Sequence, residues 1–358
     1  MNWWQICLLA VLVAAVATWA HLRFWVSRLS RQTRYDEVHR IASSDGSAFE
    51  LRRLRPATPV AALPPLLMVH GIAINHRNLD PDEDLSIARQ LRDDGRDVWL
   101  LTLRCGRHDL RAAEIRQANF AALVTRDLPE AVQQVRQRSG SDQIDYVGFS
   151  MGGMLVYAGL GRALPAAWVR KVVIIGSPAR VRVIVPGLGW LCRLPEGFYS
   201  WNMPLRSLAQ LTAFAAEWFA TPIHHLSVQL ANAAAGYVRV FMVDAVQSIP
   251  APLLRDFGLW AYSDGVVRLS DGSDVLDGLR SATHPLLMVA ATRDQLAPPQ
   301  AMQPAFDAWG SDHAGVEKSF HIVGKSAGHA MDYGHGDLAI GMRTPAEVNA
   351  PIRAFLQT

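Results

Sequence analysis

The sequence holds only three cysteines, Cys7, Cys105 and Cys192, with no C-x-x-C or other metal-ligand spacing. So sparse and odd a set implies no disulfide framework and no thiolate metal site, and it favours a reducing compartment. Three inert, buried or half-buried thiols are the expectation. Neither sign of charge dominates: the formal net charge of the 358 residues is +3, too small to argue for a nucleic-acid partner. Lysine is scarce, since the basic residues are almost all arginine and several of them sit near the N-terminus. No sustained internal repeat is visible. What is present is a globular balance, with 50% of residues apolar and 19% charged, which is not that of a disordered chain.

The first organised feature is an almost uninterrupted apolar run from Trp3 to Ala20. As a helix rising 1.5 Å per residue it spans roughly 27 Å, close to the thickness of a bilayer's hydrocarbon core. Trp3, Trp4, Trp19 and Trp25 lie at or near its ends, where amphipathic rings favour the membrane interface. No Lys or Arg precedes the run, as a signal peptide would require, although Ala15-Val16-Ala17 offers a cleavage site. Arg23, Arg28, Arg31, Arg34 and Arg40 follow it. The positive-inside rule then keeps the rest of the chain in the cytoplasm on an uncleaved anchor. The alternative is export behind a cleaved signal.

Beyond a basic linker, Asp36 to Leu54 reads as two short strands around a Ser43–Gly46 turn. Short continuous apolar runs at Leu66–Val69, Val98–Leu103, Ile144–Val147, Val172–Ile175 and Leu286–Ala290 have the pattern of buried strands. Helical spacing appears between them at Leu85–Asp94 and at Phe120–Arg138, where Leu123, Val124, Leu128, Ala131, Val132 and Val135 share one face. Strand and helix in alternation imply a mainly parallel sheet flanked by helices. From about Ala179 to Thr283 the alternation breaks into a stretch rich in Trp, Phe, Leu and Pro, expected to be a helical cap inserted between two late core strands. The expected organisation is therefore an anchor and basic segment over 1–34, a core over 35–178, a cap over 179–283 and the rest of the core over 284–358.

The segment Gly148-Phe149-Ser150-Met151-Gly152 is a G-x-S-x-G sequence that follows a buried-strand run and leads into a helical one. A sharp strand-to-helix turn needs Gly148 and Gly152, because side chains there would clash, and it leaves the Ser150 hydroxyl projecting from the top of the sheet. This pattern resembles the nucleophile turn of the α/β-hydrolase fold. In that fold the loop after an earlier strand donates a backbone N–H to the reaction's oxyanion. Here that strand ends in His70-Gly71, which assigns Ile72 N–H as one donor and Met151 N–H as the other. His70 itself reads as a loop-shaping hydrogen-bonder. Downstream, Pro285–Asp294 is a strand followed by a loop acid, and Ser, then Asp, then His is the order this fold uses. Asp294 would steer an imidazole; its plain alternative is to cap the helix before Pro298-Pro299. Two histidines compete for the base, His329 and His335, and composition does not decide between them.

Taken together, these residues resemble the acid lipase branch of the α/β hydrolases, the gastric and lysosomal lipases. That family places its catalytic histidine in a pattern like N-H-L-D-F-I-W-G, which Gly334-His335-Gly336-Asp337-Leu338-Ala339-Ile340-Gly341 resembles. Its acid motif N-D-x-L-A-D-P is similar to Arg293-Asp294-Gln295-Leu296-Ala297-Pro298. The resemblance implies His335 as the base. It runs from about His70 to the C-terminus and departs at the N-terminal anchor, in a longer Asp294–His335 interval and through the cap. Polyhydroxyalkanoate synthases resemble a cysteine version of this site, and Ser150 argues against them. The expected chemistry is serine-dependent hydrolysis of a lipid-like carboxylic ester, with no metal and no organic cofactor. Thioesterase, acyltransferase and non-catalytic scaffold are the alternatives. The expected partners are the ester substrate and a membrane.

Overall fold

The continuous apolar runs become neighbouring strands with both faces covered. The computed structural model describes residues 2–183, 186–187, 189–218 and 226–358. Its strands are β1 (Glu37–Ala42), β2 (Ala48–Leu54), β3 (Leu66–Val69), β4 (Val98–Thr102), β5 (Ile144–Phe149), β6 (Val169–Ile175), β7 (Asn202–Met203), β8 (Ile249–Pro250), β9 (Leu286–Ala291) and β10 (Lys318–Val323). Eight of them form one sheet in the order β1-β2-β4-β3-β5-β6-β9-β10. The β1–β2 and β2–β4 pairs are antiparallel and the remaining neighbours are parallel. Because side chains alternate along a strand, each strand feeds two cores. Leu67, Val69, Tyr146, Ile174 and Met288 enter one, and Leu66, Met68, Val147, Val173 and Val289 enter the other.

Helices cover both faces. The first core is closed by α3 (Leu128–Ser139) and α4 (Met151–Gly159), and the second by α2 (Ile87–Asp93) and α9 (Ala350–Gln357), with α8 (Pro299–Ala308) at the β9 side. The helix expected over Phe120–Arg138 contains a π turn at Leu123–Asp127. That wide turn accompanies a fully buried Asp127, whose carboxylate accepts from Arg104 N, Nε and Nη2 at 2.9, 2.8 and 2.6 Å.

Two segments take a more detailed form than the sequence pattern shows. Helix α1 (Trp3–Leu29) runs past the apolar stretch ending at Ala20 and carries Arg23 and Arg28 on its last turns. Nothing between Ala20 and Leu29 breaks a helix, since the segment has no Gly and no Pro. Its 27 residues include an 18-residue stretch of mean hydropathy 2.0, long and apolar enough to cross a membrane. Cys7 consequently stands exposed on it, whereas Cys105 is buried and Cys192 half-buried; all three are free. The stretch between β6 and β9 is also less regular than expected. It holds the short helices α5 (Leu205–Thr212), α6 (Tyr237–Asp244) and α7 (Ala251–Ala261), several 3-10 turns and the β7–β8 ribbon. Its residues 184–185, 188 and 219–225 lie outside the described ones.

At the foot of β5 a buried charge is held from three sides. Asp145 pairs with Arg96, accepts from Arg170 at 2.6 and 2.9 Å, and accepts from Lys171 N at 3.2 Å. Arg96 and Asp145 are both fully buried, and Arg96 also donates to Leu356 O in α9 at 3.0 Å. Asp145→Ala strips Arg96 of its counter-charge. Removing one partner of a buried pair costs about 3–5 kcal/mol, so urea unfolding should show a loss of that size. A loss below about 1 kcal/mol would mean that water reaches the guanidinium.

Candidate active site

Strand β5 ends at Phe149, and the chain turns into α4 through Ser150 alone. Ser150 takes φ 53° and ψ −120°, a strained conformation for a residue with a side chain. Its N–H donates to Ile175 O at 2.8 Å, and its carbonyl accepts from Gly153 N at 3.0 Å. The turn is tight enough to forbid side chains beside it. A Cβ on Gly152 would run into Val69 O, and one on Gly148 would sit 2.6 Å from Gly153 N. Across the turn, a Cβ on Gly71 would lie 2.8 Å from Ser150 Cβ. The loop after β3 is therefore pressed against the serine.

That loop carries the other strained residue. Among the described residues only Ala73, at φ 63°, and Ser150 have positive φ without being glycine. Neither Ile72 N–H in this loop nor Met151 N–H at the first turn of α4 has a hydrogen-bond acceptor among the described residues. His70 bonds both within this loop and to the neighbouring strand's end. Its Nε2 accepts from Leu103 N at 3.1 Å, so its Nδ1–H is the donor to Gly71 O at 2.7 Å.

Burial pushes the His70 imidazole down to about 4. The ring stays neutral in the folded chain while it protonates near its ordinary value in the unfolded one. The contribution is complete above pH 6.5 and is lost as pH falls from there toward 4, by roughly 3 kcal/mol in total. Denaturant unfolding at pH 7 and pH 5 should show a larger drop for wild type than for His70→Gln. Parallel curves would remove His70 as the cause.

The acid and one histidine meet at the ends of β9 and β10. Asp294 Oδ2 lies 2.7 Å from His335 Nδ1, and both side chains are buried. Asp294 Oδ1 accepts from Leu296 N at 2.8 Å and Ala297 N at 2.7 Å, so the same carboxylate also caps the following turn. A carboxylate accepts, which makes Nδ1 the N–H and leaves the Nε2 lone pair free. The ring packs beside the serine turn. Its centroid is 5.1 Å from that of Phe149, and a Cβ on Gly176, the residue after β6, would lie 3.3 Å from its Cε1. Among the described residues no hydrogen bond joins the Ser150 hydroxyl to His335. His329 is turned elsewhere: its Nδ1 meets Gly324 at 3.3 Å and its ring contacts His321.

Asp337, two residues beyond His335 and assigned no role from the sequence, is buried. Its carboxylate accepts from Gly334 N at 2.7 Å, Gln229 N at 3.1 Å and Asn232 Nδ2 at 3.1 Å. It thus ties the His335 loop to the stretch between β6 and β9, and burial pushes its carboxyl up to about 6. Its place in the motif around His335 was the available signal. A cavity of about 690 Å³ lined by Phe120, Ala158, Asp256 and Trp260 opens at the far end of α4 and shares no residue with this constellation. Among the described residues no group of three His, Cys, Asp or Glu side chains has metal-binding geometry.

An eight-stranded, mostly parallel sheet with a strained serine between strand and helix has a counterpart among known families. The alpha/beta hydrolase fold family matches residues 64–331, and the chain belongs to it. Among individual relatives, a probable lipase of Schizosaccharomyces pombe is 28% identical over 143 residues, covering 35% of this chain and 31% of that protein. Lipase lipl-1 of Caenorhabditis elegans is 23% identical over 193 residues, covering 48% of this chain and 47% of that protein. The chain spans only about a third to a half of the length of these curated relatives. A solved bacterial membrane phospholipase A shares the fold at TM-score 0.53 and 16% identity, covering 99% of this chain and 96% of that one.

Proposed function

We propose that the protein is a serine hydrolase that cleaves a carboxylic ester of a lipid-like substrate. The observation that carries the reading is the 2.7 Å Asp294–His335 contact beside the strained Ser150 turn. In this reading Ser150 Oγ attacks the carbonyl carbon while its proton passes to His335 Nε2. Ile72 N–H and Met151 N–H, which have no acceptor among the described residues, stabilise the oxyanion. The tetrahedral intermediate expels the alcohol, which takes the proton from His335, and leaves an acyl group on Ser150. Water then repeats the sequence with His335 as base and releases the acid. Asp294 holds the ring with Nδ1–H toward the carboxylate throughout. A fluorophosphonate probe should label the folded protein at Ser150, and failure to label would count against the whole scheme.

The lipid-like substrate is supported by the lipase names of the two curated relatives and by exposed apolar surface. Helix α1 has no buried residue, and Trp190, Phe198, Trp201, Leu208 and Trp218 are exposed between β6 and β9. Against p-nitrophenyl esters, kcat/KM should rise from acetyl to octanoyl or longer. A maximum at acetyl would exclude long acyl chains.

In this reading α1 is an uncleaved anchor with the catalytic part on the cytoplasmic side. Protease added outside intact cells should then spare residues 35–358, and digestion there would reverse the topology.

A further inference from the structure

We infer that Asp244 is a positioning residue through which the segment following α1 holds the oxyanion loop in its active shape. The inference rests on the hydrolase reading above.

Asp244 ends α6, where a carboxylate is unfavourable because the helix dipole already places negative charge there. Its partners come from outside the helix. Asp244 Oδ1 accepts from Ser30 Oγ at 2.6 Å, and Oδ2 accepts from Arg31 N at 2.8 Å. Arg77 Nη2 lies 3.8 Å from Oδ2, and Arg77 in turn donates to Thr33 Oγ1. The residues just beyond α1 are thus fastened to the end of α6 and to the turn after the oxyanion loop.

The next contacts lead into that loop. Asp244 O accepts from Asn75 Nδ2 at 2.9 Å, and Ala245 O accepts from Asn75 N at 3.0 Å. Gln247 N donates to Ala73 O at 2.7 Å, and Ile74 pairs with Val246 in an antiparallel bridge. Four successive residues, 244–247, therefore grip 73–75. Ala73 is held there at φ 63°, a conformation that persists only where the surroundings impose it. Ile72 N–H immediately precedes it. Unfastening Asp244 frees the end of α6, lets Ala73 relax and turns Ile72 N–H away from the oxyanion. The effect falls on the transition state, since the ground-state carbonyl needs that donor far less.

The test uses the full chain in detergent micelles, with Asp244→Ala, Asp244→Asn and Ser30→Ala, and a short water-soluble ester as substrate. Rates are expressed per site titrated with fluorophosphonate, so misfolded protein does not count. For Asp244→Ala, kcat should fall about 10- to 100-fold with KM unchanged, the range expected for a misplaced oxyanion donor. A trifluoromethyl ketone, which forms an oxyanion on the serine, should lose affinity by the same factor. Ser30→Ala and Asp244→Asn, which keep part of the fastening, should fall between wild type and Asp244→Ala. Hydrogen exchange at 71–75 should quicken in the same order. Unchanged kcat per site, or a rise in KM alone, overturns the inference, as does unchanged exchange at 71–75. If wild type resists fluorophosphonate while exchange at 71–75 responds to Asp244→Ala, the hydrolase reading fails and the Asp244 coupling stands. Should Asp244→Ala not fold, Ser30→Ala decides by the same criteria.

Discussion

Ser150→Ala should lower kcat by about 10⁴- to 10⁶-fold, the usual cost of losing a nucleophile that works with its base as one unit. It should do so without unfolding the chain. The hydroxyl makes no hydrogen bond to a described residue, and the backbone bonds to Ile175 O and Gly153 N remain. Stability within about 0.5 kcal/mol of wild type is expected. Ser150→Gly sharpens the test. Glycine is at ease at φ 53°, so it should be at least as stable as Ser150→Ala and equally inactive. A variant that loses activity while matching or exceeding the alanine variant's stability separates chemistry from folding. Retention of more than about a hundredth of the wild-type rate by Ser150→Ala would remove Ser150 from the nucleophile's place.

Asp294→Asn should cost about 10⁴-fold in kcat, and the local hydrogen bonds say why. Leu296 N and Ala297 N both donate to Oδ1, so an asparagine there keeps its carbonyl oxygen on that side. Its NH2 group then faces His335 Nδ1. The ring must accept at Nδ1 and carry its proton on Nε2, leaving no lone pair to receive the Ser150 proton. The substitution is nearly isosteric, so melting should change little while the rate collapses. His329→Ala serves as the control, with a rate within about twofold of wild type, since that ring contacts Gly324 and His321 instead. If His329→Ala and Asp294→Asn lose activity equally, the base has been assigned to the wrong histidine.

Much of this site is written in short, local patterns. The apolar runs at Leu66, Val98, Ile144 and Leu286 announced buried strands because a parallel sheet covers both faces of each strand. The glycines around Ser150 announced the turn because the clash they avoid lies within a few residues. The order of Ser150, Asp294 and His335 followed the order of strand ends. Other features depend on partners far along the chain and leave no periodicity. Ala73 carries no sign of its positive φ; residues more than 170 positions later impose it. Asp337 is bonded to Asn232 across a hundred residues. The π turn at Leu123–Asp127 coincides with the bond between Asp127 and Arg104, which a reading of helical spacing does not see.

The charge cluster under β5 also bears on how the chain is made. Arg96 donates to Leu356 O, and Lys171 Nζ donates to Phe355 O at 3.0 Å and to Thr358 Oγ1 at 2.5 Å. Synthesis delivers these acceptors only after every strand of the sheet has left the ribosome. Until α9 arrives, Arg96 and Lys171 lack these acceptors, and the second core lacks Ile352 and Leu356. The strand that leads into Ser150 is thus translated well before the helix that secures its foot, so a nascent chain would expose that lower edge to water and to chaperones.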